Sequence, residues 1–398
     1  MKRAFGVLGC ALAIAAASLG AVGCGSSSPA PQAGAPLRIG YLASLTGYCA
    51  AYARQYVAGA RLAARTINAR GGVLGHRLEL IARDDRATPA VGVSRARALV
   101  EGAAHVRYLA GTCSSAVARS VAELVANPEH AIYVAGAADP AIFAAGREGY
   151  AFGTIPTATV EGRNAAAYVR EHPRWRRIAV IAEDYSYGPE VTSAFARALR
   201  GSGVTISSVQ LLPSGGSDFT PYIERLLAER PDAVYSAVIA GDSVTLVEQG
   251  SPLGLFAKTH VFGIMDYGTL AAMPKPPVGV EGYTVYPSAA IYRTPFAREL
   301  ESLGTSVANG GAAGDGFNQI EIIAQGIAKA DSTDPARVRD ALGGASVQAV
   351  QGSLRIGRCD HTLAAPIAMG PVAGPTPAQP FAHLEPLVLA DTTEYLEC

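Results

Sequence analysis

The sequence lacks the short motifs that most often mark an enzyme. It contains no Gly-x-Ser-x-Gly elbow, no Gly-x-x-x-x-Gly-Lys-Ser/Thr phosphate loop, no His-Glu-x-x-His pair, and no Gly-x-Gly-x-x-Gly after a strand. The 7 histidines are scattered, and no pair of cysteines or histidines has the spacing of a metal site. Catalytic groups can converge from distant positions, so an enzyme remains a rival interpretation. We nevertheless predict a protein that is not an enzyme and has no metal and no cofactor.

The chain also lacks a strong net charge of either sign. It has 33 basic and 33 acidic residues, and arginine greatly outnumbers lysine. No stretch gathers the basic residues into a stripe that could follow a phosphate backbone. We therefore predict that nucleic acid is not a partner. With 398 residues, 49% of them hydrophobic, the chain is long enough to form two lobes with their own cores.

The N-terminus has the order of segments found in a secretory signal. Lys2 and Arg3 precede an apolar run over residues 4–22, which ends in small residues. A single membrane-spanning helix is the alternative, because such a helix needs about 20 apolar residues. No basic cluster comes after the run to stop its transfer, so we predict a signal peptide over residues 1–23.

The residues around Cys24 indicate how the exported chain is processed. Ala21-Val22-Gly23-Cys24 resembles a bacterial lipoprotein processing box that lacks its usual leucine. We predict that Cys24 is lipidated, which would tether the chain to a membrane surface rather than span it. Residues 24–36, rich in Ser, Pro, Ala and Gly, would then form a flexible linker. The expected location is the periplasm or the cell surface.

Cysteine is scarce in the rest of the chain. After the predicted leader only Cys49, Cys113, Cys359 and Cys398 remain. An even number of cysteines in an exported chain indicates disulfides, and four free buried thiols are the alternative. Four cysteines allow three connectivities, and their positions in the sequence do not choose among them.

From residue 37 onward, short apolar runs alternate with longer helical stretches, as in parallel sheets covered by helices. A first series begins with the strand at residues 37–42, and a second begins after Pro156. We predict an α/β fold with two doubly wound parallel-sheet lobes. Lobe 1 comprises residues 37–155 plus 288–347, and lobe 2 comprises residues 156–287 plus 348–398. A ligand cleft is expected where the carboxyl ends of both sets of strands face each other.

Two blocks of residues carry a resemblance to a known family. The first block is Ile39-Gly40, Leu45-Thr46-Gly47, Tyr52, Gly59-Ala60, Ile67-Asn68-Ala69, Gly71-Gly72, Gly75, Leu78-Glu79-Leu80 and Asp84-Asp85. The second is Ala182 to Gly188, then Asp218-Phe219-Thr220, Ile223 and Pro231-Asp232. In order and spacing they resemble the leucine/isoleucine/valine-binding proteins, the type I periplasmic solute receptors of branched-chain amino-acid ABC importers. The resemblance implies two lobes joined by a multi-strand hinge, and a monomer.

The segment from Gly111 to Ala116 lies between a strand and a helix. Free N–H groups at a helix start, together with the Ser114 and Ser115 hydroxyls, suit an anionic group such as a carboxylate. The alternative is that either serine only caps the helix. The segment matches the family's carboxylate-binding serine loop, which implies ligand contact for Ser114 and Ser115.

The next loop of the same lobe lacks one hydroxyl group that the family has there. There the family uses a backbone carbonyl and a Thr or Ser hydroxyl on an amino-acid ligand. This sequence has Ala138 at the hydroxyl position, which puts the full amino-acid clamp in doubt, while the Ala137 carbonyl remains available. The resemblance therefore implies that Ala137 and Ala138 line the pocket.

Three further residues are implied as ligand contacts. Tyr187 matches a tyrosine of the second lobe that closes over the ligand. The alternative interpretation is that the Tyr187 side chain only packs beneath a loop. Tyr52 matches a pocket-wall tyrosine and could equally be ordinary lobe packing. Asp266 lies within one position of the family's acidic residue for an α-ammonium group, and a solvated turn aspartate is its alternative. The family's aromatic near residues 235–240 is replaced by Val238 or Ile239, which would reshape the side-chain pocket.

The resemblance also favours one disulfide connectivity. Cys49 and Cys113 would fall on neighbouring loops at the cleft edge, so we predict that they pair. Cys359 would then pair with Cys398 and pin the tail. Closing loops of such lengths contributes about 3 to 4 kcal/mol. Residues 358–361, Arg-Cys-Asp-His, resemble an element of one subset of relatives and are interpreted mainly as a structural corner.

These features predict an extracytoplasmic solute-binding protein of an ABC importer. The solute would be a small carboxylate, an amino acid of branched-chain or related type, and the partners would be the importer's membrane permease subunits. Two alternatives stay open: a receptor for an aromatic or other non-amino-acid carboxylate or amide, and a ligand-sensing module for a signalling partner.

Overall fold

The computed structural model describes residues 34–286, 291–304, 311–377, 381–385, 388–390 and 392. The predicted signal peptide, Cys24, most of the linker and Cys398 lie outside these residues, so the predictions about them remain predictions. Within the described residues, no helix combines the length and apolar character that crossing a bilayer requires.

Five parallel strands form the first sheet, in the order β2-β1-β3-β4-β5. β3 and β4 are short runs in which every residue is buried, as expected for parallel strands with both faces covered. The strands are β1 (Gly34–Ala43), β2 (His76–Asp84), β3 (Tyr108–Gly111), β4 (Ile132–Ala135) and β5 (Ala151–Gly153). The helices that connect them are α1 (Ala50–Ala69), α2 (Pro89–Val100) and α3 (Ser115–Val121), which continues as the π-helical turn Ala122–Ala126.

The second sheet repeats this order as β7-β6-β8-β9-β10 and adds antiparallel strands beyond β10. Its parallel strands are β6 (Arg177–Glu183), β7 (Thr205–Leu212), β8 (Ala233–Ala237), β9 (His260–Ile264) and β10 (Glu281–Thr284). Its helices are α4 (Ala158–Arg170), α5 (Tyr187–Ala198), α6 (Thr220–Glu229), α7 (Ala240–Leu253), α8 (Leu255–Lys258) and α9 (Tyr267–Ala272).

The carboxyl-terminal third of the chain adds helices that pack against the first sheet and strands that extend the second. α10 (Pro295–Leu300), α11 (Ala312–Ala330), α12 (Pro335–Leu342) and the hairpin β11 (Ser346–Ala349) with β12 (Gly352–Arg355) come first. β13 (Ile367–Ala373) then pairs antiparallel with β10, and β14 (His383–Leu384) and β15 (Val388–Ala390) pair with β13. Short 3₁₀ helices are Pro140–Phe143, Gly146–Glu148 and Glu301–Leu303.

Helices cover both faces of each sheet. One core joins α1 and α11 to the first sheet and α4 and α5 to the second. α2 and α3 cover the other face of the first sheet, while α6 and α7 cover the other face of the second. The predicted class, an α/β fold with two doubly wound parallel sheets, is confirmed. The residue boundaries predicted for the two lobes remain a prediction.

Candidate functional site

In both sheets the order of the strands reverses at the first strand of the sheet. β1 lies between β2 and β3, and β6 lies between β7 and β8. The loops that leave the carboxyl ends of these strands diverge there, which opens a crevice of the kind that holds ligands in α/β sheets. A cavity lies at these ends, lined by Tyr52, Cys113, Ser115, Gly136, Ala137, Ala138, Ile155, Glu161, Tyr185, Tyr187, Ile239, Ile264, Asp266, Val285 and Tyr286.

The cavity is narrow. Its volume is about 20 Å³. That is enough for one or two waters, since a single water needs roughly 10 to 15 Å³. The walls must therefore separate before a molecule larger than a few waters can be held.

Six of the seven residues predicted to contact a ligand line this one cavity. They are Tyr52, Ser115, Ala137, Ala138, Tyr187 and Asp266. The seventh, Ser114, is 1% exposed and caps α3, because its Oγ accepts a hydrogen bond from the Val117 N–H at 3.4 Å. Ser115 Oγ accepts from the Ala138 N–H at 3.3 Å, which ties the loop after β3 to the loop after β4. Whether these residues contact a solute remains a prediction.

The Asp266 carboxyl is buried where α1 meets the end of β9. The Tyr52 hydroxyl donates to its Oδ2 at 2.5 Å and also lies 2.7 Å from the Thr269 hydroxyl. The Thr284 hydroxyl donates to Oδ1. Burial raises the pKa of Asp266 to about 6, and the hydrogen bonds from Thr284 and Tyr52 oppose that rise. Asp266 is therefore a fixed buried acid rather than a solvated turn residue.

A second buried acid, Glu161, was not predicted from the sequence. It lies in the first turn of α4, is 1% exposed, and lines the cavity. The hydroxyls of Tyr187 and Tyr283 donate to its Oε2 at 2.9 and 3.1 Å. Burial raises the pKa of Glu161 to about 8, against the lowering effect of both hydrogen bonds.

Tyr286 is another lining residue that the sequence did not single out. Its ring packs edge-on against Tyr52 and Tyr56, with centroids 5.7 and 5.9 Å away. Its hydroxyl is within hydrogen-bonding distance of the Tyr56 hydroxyl, and the two lie 3.3 and 3.2 Å from the Gly136 carbonyl oxygen. With one proton each, one hydroxyl donates to that carbonyl and the other donates to its neighbouring hydroxyl. Tyr286 comes after β10 at its carboxyl end, which is the only sequence signal that could have indicated it. Glu161 had no such signal, because acidic residues are common in first helical turns.

The predicted Cys49–Cys113 disulfide is confirmed, with Cα atoms 6.4 Å apart, within the usual range for a disulfide. The bond fastens the start of α1 to the loop after β3. The ring of Tyr48, the residue before Cys49, lies 6.0 Å from the ring of Tyr185. The Cys359–Cys398 pairing remains a prediction, because Cys398 lies outside the described residues.

Two other regions do not contribute to this cavity. The His361 ring stacks on Phe152 with centroids 4.3 Å apart, as expected of a structural corner. A more open cleft of about 820 Å³ lies between Tyr168, Trp175 and the starts of β9 and β10. It lies at the amino ends of the strands, opposite to the position of ligands in such sheets, and includes none of the predicted residues. No cluster of three potential metal ligands occurs among the described residues.

Comparisons with a family model and with known proteins point to the same family. A family model described as periplasmic binding protein matches residues 36–375. The Leu/Ile/Val-binding protein BraC3 of Rhizobium johnstonii is 31% identical over 206 residues, which are 52% of this chain and 55% of that protein. The chain thus spans about half the length of that relative. The Leu-, Ile-, Val-, Thr- and Ala-binding protein of Pseudomonas aeruginosa is 24% identical over 331 residues, 80% of this chain and 85% of that one.

Solved structures share the fold at lower sequence identity. A solute binding protein of an ABC transporter from Rhodopseudomonas palustris BisB5, in complex with 3,4-dihydroxybenzoic acid, has a TM-score of 0.78 and 21% identity. That comparison covers 90% of this chain and 98% of the other. LivJ of Streptococcus pneumoniae, in complex with isoleucine, has a TM-score of 0.75 and 15% identity, with coverages of 89% and 99%.

Proposed function

Because the chain belongs to the periplasmic binding protein family, we propose that it is the extracytoplasmic solute-binding protein of an ABC importer. The proposed solute is a small carboxylate, an amino acid of branched-chain or related type. The observation that carries the proposal is the convergence of residues from both sheets, Ser115 and Tyr52 from one and Tyr187 and Asp266 from the other, on a single cavity.

The two ends of an amino acid have matching surroundings in this cavity. The carboxylate would accept hydrogen bonds from the Ser115 hydroxyl and from N–H groups at the start of α3, where the helix dipole favours negative charge. The ammonium group would donate to Asp266, whose carboxyl is held by Tyr52 and Thr284. The Ala137 carbonyl is a further acceptor. An opposite charge at each end fixes the orientation of the solute.

Binding must include a movement of the walls, because the space between them is about the width of one water. We propose that the solute first docks on the loops after β3 and β4. It would then gain Tyr187 and Asp266 as the hinge closes. Only contacts that the open form lacks can drive this closure. The closed form would be the one that the permease subunits recognise.

An aromatic carboxylate is the second candidate solute. Four tyrosines, Tyr52, Tyr185, Tyr187 and Tyr286, line the cavity, and their faces would pack well against a benzoate ring. A benzoate would, however, bring a negative charge next to the buried Asp266 without a cation to match it. That mismatch favours the amino acid.

The remaining parts of the proposal concern location and partners. A signal peptide over residues 1–23 and a lipid on Cys24 would hold the chain at the outer surface of a membrane, in the periplasm or at the cell surface. The chain would act there as a monomer, without catalysis and without nucleic acid. A mass-spectrometric measurement on the exported protein would detect the lipid on Cys24.

A thermal-shift screen across amino acids, short amides and aromatic carboxylates tests the proposal. A solute at a hundred times its dissociation constant should stabilise the chain by about 2.7 kcal/mol. Ser115→Ala should reduce the shift, whereas Ser94→Ala, at an exposed position on α2, should leave it unchanged. A failure of every amino acid to stabilise the chain would contradict the assignment. Chemical conversion of the solute during incubation would show an enzyme instead.

A further inference from the structure

The charges that line the cavity are unbalanced. Glu161 and Asp266 are the two carboxyl groups among the lining residues, each 1% exposed. None of the described residues that line it is a lysine, an arginine or a histidine. Burial makes an unmatched carboxylate costly, so such groups in a closed cavity either take up a proton or meet a cation.

An ordinary aliphatic amino acid does not resolve this imbalance. It has one ammonium group, which the proposed function assigns to Asp266, and one carboxylate, which it assigns to the start of α3. Glu161 then has no hydrogen-bonding partner in the solute. The solute that fits both acids therefore carries a second group able to donate hydrogen bonds.

Two tyrosine hydroxyls hold the Glu161 carboxyl in place. Both tyrosine donors reach the same oxygen, Oε2, and Tyr283 is itself 2.9 Å from the Tyr235 hydroxyl. Among the described residues, the titratable groups that act on Glu161 are Tyr187 of α5, Tyr283 of β10, Tyr235 of β8, Asp266 after β9 and Tyr286 after β10. None of them is a cation. Neither hydroxyl bonds to Oε1, which leaves that oxygen available to a solute.

We propose that Glu161 is a specificity-determining residue, which selects solutes whose side chain ends in a nitrogen donor: an ammonium, guanidinium or amide N–H. This inference rests on the proposed function and narrows its solute class. The apolar residues Ile155, Ile264 and Val285 would contact the methylene groups between the two polar ends. Tyrosine faces beside a terminal cation would add to its binding.

Two pairs of isosteric amino acids test the proposal by isothermal titration calorimetry. Ornithine has a terminal ammonium group where norleucine has a methyl group. Asparagine has an amide where leucine has two methyl groups. The wild-type chain should bind at least one nitrogen-bearing member about tenfold or more tightly than its aliphatic partner, because a site built for a hydrogen bond rejects an analogue that lacks it.

Variants separate the effect of Glu161 from a general preference for polar solutes. Glu161→Leu should reverse the preference toward norleucine and leucine. Glu161→Gln, which keeps the shape and removes the charge, should lose the preference for ornithine. Glu224→Gln, at an exposed position on α6, is the matched control and should change nothing. If the Glu161 variants do not fold, the two pairs measured on the wild-type chain still decide the question.

Proton exchange provides a second readout that distinguishes ammonium from amide. Burial raises the pKa of Glu161 to about 8, so the free chain holds a proton on this group at pH 7. Ornithine should displace that proton, and titrations in buffers with different ionisation enthalpies should show its release. Asparagine should bind without releasing a proton.

The possible outcomes separate this inference from the proposed function. Equal or tighter binding of norleucine and leucine, unaffected by Glu161→Gln, would overturn the role of Glu161 and leave an amino-acid receptor. A complete absence of amino-acid binding would overturn both. A nitrogen preference that Glu161→Leu abolishes would support both.

Discussion

At the scale of single residues, burial determines the pKa of Asp266. Its carboxyl is 1% exposed, and its pKa is raised to about 6 because desolvation outweighs the hydrogen bonds from Thr284 and Tyr52. Only the ionised form attracts an ammonium group. The protonation state of this one residue should therefore control how tightly an amino acid binds near neutral pH.

We expect amino-acid affinity to fall as the pH is lowered from 7 to 5. Below a pKa of about 6 the carboxyl takes up a proton, and the loss approaches tenfold for each further pH unit. For a solute that leaves Glu161 protonated, such as leucine or asparagine, that group contributes little to the change, because its pKa of about 8 lies above this range. Titration calorimetry at pH 7, 6 and 5 measures the effect.

The control for this prediction is a pair of asparagine variants. Asp266→Asn should bind weakly at pH 7 and show a flat pH profile. Asp331→Asn, at the exposed left-handed carboxyl end of α11, should behave like the wild-type chain, because asparagine tolerates that conformation. A wild-type profile that is flat between pH 7 and 5 would mean that Asp266 does not bind the solute's ammonium group.

At the scale of secondary-structure elements, two glycines set the position of α1. A Cβ atom at Gly59 would overlap the Ala313 carbonyl of α11, and one at Gly316 would overlap the Tyr56 carbonyl of α1. The two helices thus meet backbone to backbone. Because α1 carries Tyr52, this contact also sets the depth of one cavity wall.

Gly59→Ala should lower the free energy of unfolding by about 1 to 3 kcal/mol, the usual cost of overpacking a core. It should also weaken solute binding, because α1 and Tyr52 must move away from α11. Urea unfolding and calorimetry measure the two effects. Gly374→Ala is the matched control, since a Cβ there meets no atom within 4 Å. Unchanged stability in Gly59→Ala would show that the helices can separate without cost.

At the scale of the whole molecule, the two sheets share one strand order and present their carboxyl ends to one cavity. Loops from both sheets form its walls, and the space between them is too narrow for an amino acid. We expect a hinge motion to admit the amino acid, because the sheets can remain rigid while the chain segments that connect them bend.

We expect small-angle X-ray scattering to show a smaller radius of gyration when a bound amino acid is present than when it is absent. The solute should shift the population toward the closed form through contacts made only there. Ser115→Ala should require a higher solute concentration for the same change. A solute that gives no thermal shift serves as the control. Identical scattering curves with and without a tightly bound solute would contradict hinge closure.

Much of this organisation could be predicted from the sequence. Alternating apolar runs and helical stretches indicated both parallel sheets, and the strand predicted at residues 37–42 lies within β1. The resemblance to a known family added the Cys49–Cys113 pair and six of the residues that line the cavity. Such features are local, because hydrophobic periodicity and loop motifs are set by neighbouring residues.

The sequence by itself determined the α/β class, the order of the elements and the strand-to-helix junctions at which Ser115, Tyr187 and Asp266 lie. Only the tertiary structure decided that Glu161 joins Asp266 in one cavity without a basic residue among its described lining side chains, and that Tyr286 forms part of the wall. The physical reason is that burial and mutual proximity are properties of packed elements. Glu161 and Asp266 are far apart in the chain, and the raised pKa of each arises from desolvation that no local pattern records.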